Sequence, residues 1–296
     1  TVESKVTGRV DSLNFRGNKL QTIFIDAFVK ENQFEGAFHI TDELIKTDFR
    51  GLINFDSLHP VFDFDAKLRH VKLAQLGLIS IDSSASLSTN IHMNFTGDEI
   101  DSFLGNINID STAFYYLGEN YYMDSLYVIS KIDESIEEAK SIKVSSDFLN
   151  GGINGIYNLA KFPQAFEKFT RNYMSEFEII EEEFDELIKE NFEFDFTVSN
   201  TQVLTDLFVP QLYIKDSINL KGSFSSENQI INIQTYSSEL KVNDIRFVSP
   251  TFNLYSNTED VFAMAYVNEL VLKEPSESDT LKLGLDQLLL NVRLNK

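Results

Sequence analysis

The sequence predicts a mainly β protein: an antiparallel-rich sheet with one long amphipathic helical insertion. Three observations predict it. Apolar and polar residues alternate with a period of two over most of the chain, the period changes once to that of a helix, and Gly- or Asn-containing turns separate the alternating runs. We expect a first β-groove segment at 1–156, the helical insertion at 157–190, and a second β-groove segment at 191–296 that continues the same sheet.

The first segment has the clearest alternation. Phe62, Phe64 and Leu68 point to one side of a strand, whereas Asp63 and Asp65 point to the other. The same parity argument applies to the alternating runs near residues 53 and 107. The residues assigned here to the inner side of the sheet are Ile53, Phe55, Phe62, Phe64, Leu68, Ile107 and Ile109.

The helical insertion follows a glycine-rich stretch. Apolar residues recur there at spacings of three and four, which predicts an amphipathic helix from about Lys161 to Lys189. Its basic residues come early and its acidic residues late, against the helix dipole, so we expect the apolar stripe to dock it. The helix either caps the groove by packing on the sheet, or regulates entry or meets a partner. The predicted stripe is Phe162, Phe166, Phe169, Tyr173, Phe177, Ile180 and Phe184.

Alternation resumes at residue 192 and continues to the end of the chain, apart from an exposed loop at 274–279. Each inner or outer assignment in this second segment depends on strand parity, and one β-bulge would reverse every assignment after it. The inner-face residues assigned here are Phe194, Phe196, Phe224, Ile231, Ile233, Phe252 and Leu254.

Composition excludes several classes of protein. The chain has 46 acidic and 25 basic residues and a net charge of −21, which repels phosphate backbones, so we expect no nucleic-acid partner. It has no cysteine, which excludes disulfides and thiol nucleophiles. No run approaches the roughly 18 to 20 apolar residues of a membrane-spanning helix, and no signal peptide opens the chain. It begins at Thr1, so we expect a mature form or a fragment.

No motif predicts an enzyme. The four histidines stand in no metal-binding pattern, and no G-x-S-x-G nucleophile elbow is present. The glycine cluster at 151–155 precedes a helix but lacks the ending of a phosphate-binding loop, and the acidic clusters lack calcium-loop spacing. We therefore expect no catalytic residue, no metal and no cofactor. The remaining signal is 26 Phe without any Trp, an apolar surface that a core, a partner or a hydrocarbon ligand must cover.

Several segments in chain order carry a resemblance to a known family. The segments are Phe62 to Leu68 with Leu73 to Leu78, Asn94 to Gly97 with Asp101 to Ile107, Val144 to Leu149 with Gly155 to Tyr157, Phe194 to Phe196 with Leu207 to Pro210, and Leu220 to Phe224. In them the chain resembles the TamB/AsmA-like family of bacterial envelope proteins, bridge-like lipid transfer proteins, in the form of the translocation and assembly module TamB.

The resemblance implies an elongated, curled sheet that forms a U-shaped, taco-like groove. This sheet would bridge the periplasm, anchored in the inner membrane by an N-terminal helix. It implies transport of phospholipid to the outer membrane and assistance to outer-membrane protein assembly, with phospholipid acyl chains and an outer-membrane barrel protein as partners. The family's membrane anchor and barrel-contacting module have no counterpart in this sequence. We therefore expect an interior fragment, to whose residues the barrel contact does not transfer.

Physical chemistry is compatible with a conduit. About sixteen strands at roughly 4.8 Å each would make a trough on the order of 75 Å long. A closed β-sandwich that serves as a binding or adhesion module, with no lipid transport, is the main alternative because the same Phe-rich faces would then form an ordinary core. A hydrolase is a third possibility, for which no activated nucleophile can be named.

Overall fold

The protein is mainly β and antiparallel, as the sequence predicts. The computed structural model describes residues 3–55, 60–80, 82–171, 173, 189–199, 201–257, 259–273 and 283–295. Within these ranges lie nineteen strands and two helices. The chain divides into two compact units: unit 1 comprises Thr1–Ser130 and Ser145–Asp147, and unit 2 comprises Lys131–Val144 and Phe148–Lys296. The predicted division into segments 1–156, 157–190 and 191–296 concerns the order of elements along the chain, and it stays a prediction.

Unit 1 is built on a meander of long strands. Each strand pairs antiparallel with the next one along the chain. Among the described residues no pairing joins the first of these strands to the eighth, so the sheet of this unit is open. The strands are β1 (Ser4–Phe15), β2 (Asn18–Lys30), β3 (Gln33–Thr41), β4 (Lys46–Asn54), β5 (Val61–Lys72), β6 (Ser86–Thr96), β7 (Leu104–Tyr116) and β8 (Glu119–Ile132).

Close strand contact in unit 1 depends on a cross-strand glycine pair. Gly36 on β3 lies opposite Gly51 on β4. A Cβ at Gly36 would lie 2.3 Å from the Asp26 carbonyl oxygen, and one at Gly51 would lie 2.2 Å from that of Asp63. Only glycine permits so close an approach of the backbones, and such positions mark bends in a sheet.

At one end of the unit 1 strands, the loop after β5 packs against the sheet in a small buried core. Leu76, in the loop after β5, is buried together with Ile23, Ile40 and Val71. Hydrogen bonds hold this loop against the β1–β2 turn, since Arg16 donates to the Gly77 carbonyl oxygen over 2.8 Å. A local core of this kind fixes the ends of β2, β3 and β5 relative to one another.

A carboxylate clamps the loop before β6 to the β7–β8 turn. Asp82 accepts hydrogen bonds from the Ser84 hydroxyl at 2.7 Å, from the Ser84 amide at 2.9 Å and from the Leu117 amide at 2.7 Å. These donors, the Ser84 hydroxyl foremost, hold the pKa of Asp82 below its usual range. The ionised carboxylate is therefore the form that holds the loop.

The clamp predicts a local effect of acid. Because the pKa of Asp82 is lower in the folded chain, its contribution to stability is complete above the unfolded value of about 3.9 and is lost as the pH falls toward the folded value. We expect the Leu117 amide, in the β7–β8 turn, to lose hydrogen-exchange protection as the pH falls below about 4, more than the β7 amides do. In Asp82→Asn this extra loss should disappear, and an unchanged pH dependence in that variant would contradict the clamp.

Unit 2 combines a ladder of strands with two helices. The remaining elements are β9 (Lys140–Ser146), β10 (Leu149–Ile156), α1 (Phe162–Arg171), β11 (Asn191–Ser199), α2 (Gln202–Phe208), β12 (Leu212–Ile214), β13 (Ser217–Ser225), β14 (Ile230–Ser237), β15 (Glu239–Val242), β16 (Ile245–Val248), β17 (Thr251–Ser256), β18 (Asp260–Lys273) and β19 (Leu283–Asn295). The ladder runs β10, β11, β13, β14, β17, β18 and β19, and the end of β18 also pairs with β16, which leads through β15 to β12.

The prediction of one long helix is not confirmed. α1 ends at Arg171, and residues 174–188, with Phe177, Ile180 and Phe184 of the predicted stripe, lie outside the described residues. The expected conflict with the helix dipole is also wrong for α1, because Lys168 and Arg171 lie in its last turn, where positive charge is favourable. Neither helix in the described part of the chain is long and apolar enough to cross a membrane.

The second helix, α2, lies where strand signals were expected to continue. Its apolar residues Val203, Leu204 and Leu207 follow helical spacing, but seven residues are too few for that period to be distinguished from a strand. Gln202 donates to the Asp206 carboxylate one turn later over 2.7 Å. This polar pair is the signal in the sequence that favours a helix.

Candidate functional site

The structure places all seven predicted inner-face residues of unit 1 on the same side of the sheet. Ile53 lies directly opposite Phe62, and Phe64 is joined to Ile107 through Met93. Ile109 follows Ile107 by two residues, Leu68 follows Phe64 by four, and the Phe55 ring lies 5.7 Å from the Phe62 ring. All are half-buried except Phe55, which is 62% exposed. We call this side the apolar face of unit 1.

Further apolar residues that were not assigned from the sequence, most of them phenylalanines, lie on the same face. Phe38 stacks on Phe49 with 4.7 Å between ring centroids, and Phe62 stacks on Phe95 at the same distance. The Phe49 ring is 5.0 Å from the Phe64 ring. Strand parity could have found them, because Phe34, Gly36 and Phe38 alternate with polar residues as Phe62 and Phe64 do. The added residues are Phe34, Phe38, Phe49, Ile91, Met93 and Phe95.

The rings also cover the glycine pair. Phe34 lies 5.8 Å from Phe38 and 5.6 Å from Phe49, so the rings that flank Gly36 and Gly51 meet above them. Aromatic side chains commonly compensate for glycines in a sheet in this way. The result is a face that is continuous from β3 to β6 although two of its positions carry no side chain.

The opposite side of the same strands is polar. His39 lies 2.6 Å from Asp48 and His92 lies 2.8 Å from Asp65, both as exposed cross-strand pairs. Asn90 donates to Asp110 over 2.7 Å, which holds the pKa of that carboxyl group below its usual range. Within the described ranges no group of three or more His, Asp or Glu could hold a metal ion. These two histidines therefore belong to a hydrated surface.

No described element of unit 1 covers its apolar face, apart from the buried cluster at one end of the strands. Both helices lie in unit 2, and β1 to β8 belong to one meander, so this part of the chain supplies no second layer. A domain usually buries such a face against another layer of structure. Burial along the face is uneven, since Phe49 is 7% exposed and Phe55 is 62% exposed. Large apolar surfaces that remain in contact with solvent are typical of ligand- or partner-binding sites.

In unit 2 the seven predicted residues again share one side of the sheet, the apolar face of unit 2. The register joins Phe194, Ile233 and Leu254 in one row through Gly222. Phe224 lies opposite Ile231, and Phe196 is joined to Phe252 through Leu220 and Thr235. Burial differs along the face: Phe224 and Ile231 are 2% and 1% exposed, whereas Phe252 is 39% exposed.

The difference arises because α1 covers one edge of this face. Phe162 lies 5.6 Å from Phe192 and 5.4 Å from Phe224, and Phe169 lies 5.9 Å from Phe224, all nearly edge to face. Phe169 is 2% exposed. The predicted stripe residues Phe162, Phe166 and Phe169 thus lie on the side of α1 that meets the sheet, and Tyr173, beyond the end of α1, lies against the same part of the sheet.

Phe169→Ala is expected to detach α1. Removing a buried Phe side chain costs about 3 to 5 kcal/mol, and few other contacts hold so short a helix. Limited proteolysis within 162–171 should become at least tenfold faster while the circular dichroism of the sheet is unchanged. Lys168→Ala, which changes the exposed neighbouring residue, is the control and should cleave at the rate of the unaltered chain. Equal rates for both variants would contradict the docking role of Phe169.

The polar side of unit 2 has a wide, open depression of about 1030 Å³. Asn150, Asn154, Glu193, Asp195 and Lys221 are among the residues around it. The depression forms where Gly152 interrupts a row of side chains, and both signs of charge border it. It resembles a hydrated surface rather than a deep ligand site.

The chain matches no family model, no curated protein and no solved structure.

Proposed function

We propose that the chain is a segment of a hydrophobic conduit that carries phospholipid across the periplasm between the inner and outer membranes. One observation carries this proposal: the strands of each unit gather apolar side chains on one side, and in unit 1 the described elements add no second layer over that side. On this proposal acyl chains cover the face, and the head groups stay in water.

The chemistry of the apolar face suits movement better than tight binding. Hiding a methylene group from water is worth roughly 0.8 kcal/mol, so a two-chain lipid does not cross water unaided at a useful rate. Contacts with Phe, Ile and Met side chains are non-directional and similar from strand to strand. A lipid that moves from one uncovered row to the next therefore exchanges similar contacts.

We further propose that the sheet curls with its apolar face inside, as a U-shaped groove. The glycine pair Gly36 and Gly51 supports this, because glycine at a strand centre is a common source of sheet curvature. On this proposal the predicted inner-face residues of both units line the groove, and the protein performs no catalysis and needs no cofactor.

The proposal includes membership of the TamB/AsmA-like family, on the segments that resemble it. The chain would then be an interior part of an inner-membrane-anchored envelope protein in the periplasm. It would act in outer-membrane biogenesis together with an outer-membrane barrel protein, which would be contacted by regions other than those of this chain.

The alternative of a closed β-sandwich has less support. A sandwich needs a second sheet against the first, and the described residues of unit 1 supply none. In unit 2 the ten-residue helix α1 covers one edge of the face, and Val267 and Val271 on the same side of β18 are also buried. A binding or adhesion module would thus have to leave these faces empty or bury them against another protein.

Native mass spectrometry of the full chain purified from bacterial cells tests the proposal. We expect several phospholipids to co-purify with each chain and to be removed by detergent exchange. A chain that carries no lipid while its sheet remains folded would overturn the proposal and favour the binding module. The control is a soluble β-sandwich protein purified in parallel, which should carry none.

A further inference from the structure

The most enclosed apolar space described in unit 2 lies beneath α1. It has a volume of about 310 Å³ and lies between α1 and β17, β18 and β19. Phe166, Phe169 and Tyr173 form one wall, and Leu254 and Ala263 belong to the other. The surface that the lining residues present to the pocket is wholly apolar. We call this space the α1 pocket.

Its depth results from a small side chain opposite a row of rings. Ala263 lies in the register between Leu254 on β17 and Val292 on β19, so a methyl group stands where its neighbours carry branched side chains. Ring contacts hold the facing wall, with 6.3 Å between Phe166 and Phe169 and 5.3 Å between Phe169 and Tyr173. Alanine at this position therefore leaves a space that the rings do not fill.

The pocket wall formed by Phe166, Phe169 and Tyr173 is held in place at Tyr173. The Tyr173 hydroxyl donates to the Asn257 carbonyl oxygen over 3.2 Å, which ties the end of the α1 region to the β17–β18 turn. Burial foremost, with the nearby Asp260 carboxylate, raises the pKa of Tyr173, so the phenol stays neutral and able to donate. The pocket is consequently held open by structure on both sides.

We infer that the α1 pocket binds the end of a single saturated acyl chain. An apolar cavity of about 150 Å³ stays dry and binds benzene, so one of about 310 Å³ accommodates a chain end of roughly ten to twelve carbons. A lining that presents no polar surface offers a head group no hydrogen bond, which excludes sugars, peptides and phosphate as occupants of the pocket itself.

For its class of ligand, an acyl chain, this inference rests on the proposed function. It adds a site at which the end of that chain is bound. The uncovered part of the apolar face offers equivalent rows, whereas the α1 pocket surrounds a chain end on two sides. A hydrocarbon covered on both sides loses more contact with water than one lying on an open sheet. The pocket is thus a resting site beside the path.

The test uses the full chain after delipidation and, as probe, decanoic acid labelled with ¹³C at its methyl carbon. We expect saturable one-to-one binding by NMR, with nuclear Overhauser contacts between the probe methyl and the Ala263 methyl. Ala263→Phe fills the pocket and should weaken binding at least tenfold. Ala265→Phe, on the same face of β18 but outside the lining, is the matched control and should bind within twofold of the unaltered chain.

Three results would overturn the inference. The first is the absence of saturable binding, and the second is equal affinity in Ala263→Phe and Ala265→Phe. The third is binding that arises only after Phe177, Ile180 and Phe184 are all replaced by Ser, because the chain itself would then fill the pocket. The proposed conduit is judged separately, by the phospholipid that co-purifies. If the chain carries phospholipid but does not bind decanoic acid, the proposed conduit stands and the inferred pocket is wrong. If the chain binds decanoic acid but carries no phospholipid, the pocket stands and the proposed conduit is wrong.

Discussion

Phe194→Asp, or Phe62→Asp in unit 1, is expected to remove most of the phospholipid that the chain carries and to block transfer. Each change puts a carboxylate in the middle of an apolar face, next to Ile233 or Ile53. An ionised group held against hydrocarbon costs several kcal/mol, so it stays hydrated and keeps acyl chains away. Since each 1.4 kcal/mol changes binding tenfold, we expect a loss of at least tenfold in lipid per chain, measured by native mass spectrometry and by vesicle-to-vesicle transfer of a fluorescent phospholipid.

The matched controls add the same charge to the other side of the sheet. Gln234→Asp places its carboxylate on the polar face of unit 2, opposite Lys221, and Asn108→Asp does so in unit 1, opposite His92. Both should carry lipid as the unaltered chain does. If the apolar-face variants fold normally and transfer lipid at the control rate, the assignment of these faces is wrong.

Gly36→Ala is expected to destabilise unit 1 by about 3 kcal/mol or more, because the added methyl group meets backbone that cannot turn aside. Its Cβ would lie 2.3 Å from the Asp26 carbonyl oxygen and 2.4 Å from the Ala27 Cα. The strands must separate to admit it, which also disturbs the Phe34 and Phe38 rings on either side. Urea unfolding, followed through amide exchange of β2 and β3, measures the effect.

Gly8→Ala separates this clash from backbone strain. Gly8 has φ +156° and Gly36 has φ +155°, but a Cβ at Gly8 meets nothing within 4 Å. The strain of that backbone angle alone costs on the order of 1 kcal/mol, so Gly8→Ala should be the milder variant by about 2 kcal/mol. Equal destabilisation of the two variants would show that strand approach at Gly36 plays no part.

Strand parity was sufficient to group the apolar residues, because the described strands are antiparallel and keep their register across the positions concerned. Ile53, Phe62 and Phe64 fall on one side, and Phe194, Ile233 and Leu254 fall on another single side in unit 2. The register shifts in unit 1 occur between Leu68 and Val71, after the assigned residues of β5, and between Ser88 and Asn90 on β6, a strand to which no residue was assigned. No bulge therefore reversed an assignment.

Other features could not be predicted because they depend on contacts between distant residues. The length of α1 could not be set from the apolar spacing, which continues past Arg171 without a stop signal. α2 is too short for its period to be recognised. The α1 pocket depends on Ala263 lying across the sheet from Leu254 and beneath Phe166, a juxtaposition that only the register and the docked helix reveal.

Site-specific photocrosslinking in living cells tests the central claim most directly. A photoreactive phenylalanine analogue at Phe64 faces the apolar side of β5, and the same analogue at Asp65 faces the polar side one residue away. We expect phospholipid adducts, identified by mass, at position 64 and none at position 65. Equal lipid labelling at both positions, or crosslinks at position 64 only to protein, would contradict a sheet whose exposed apolar face carries lipid.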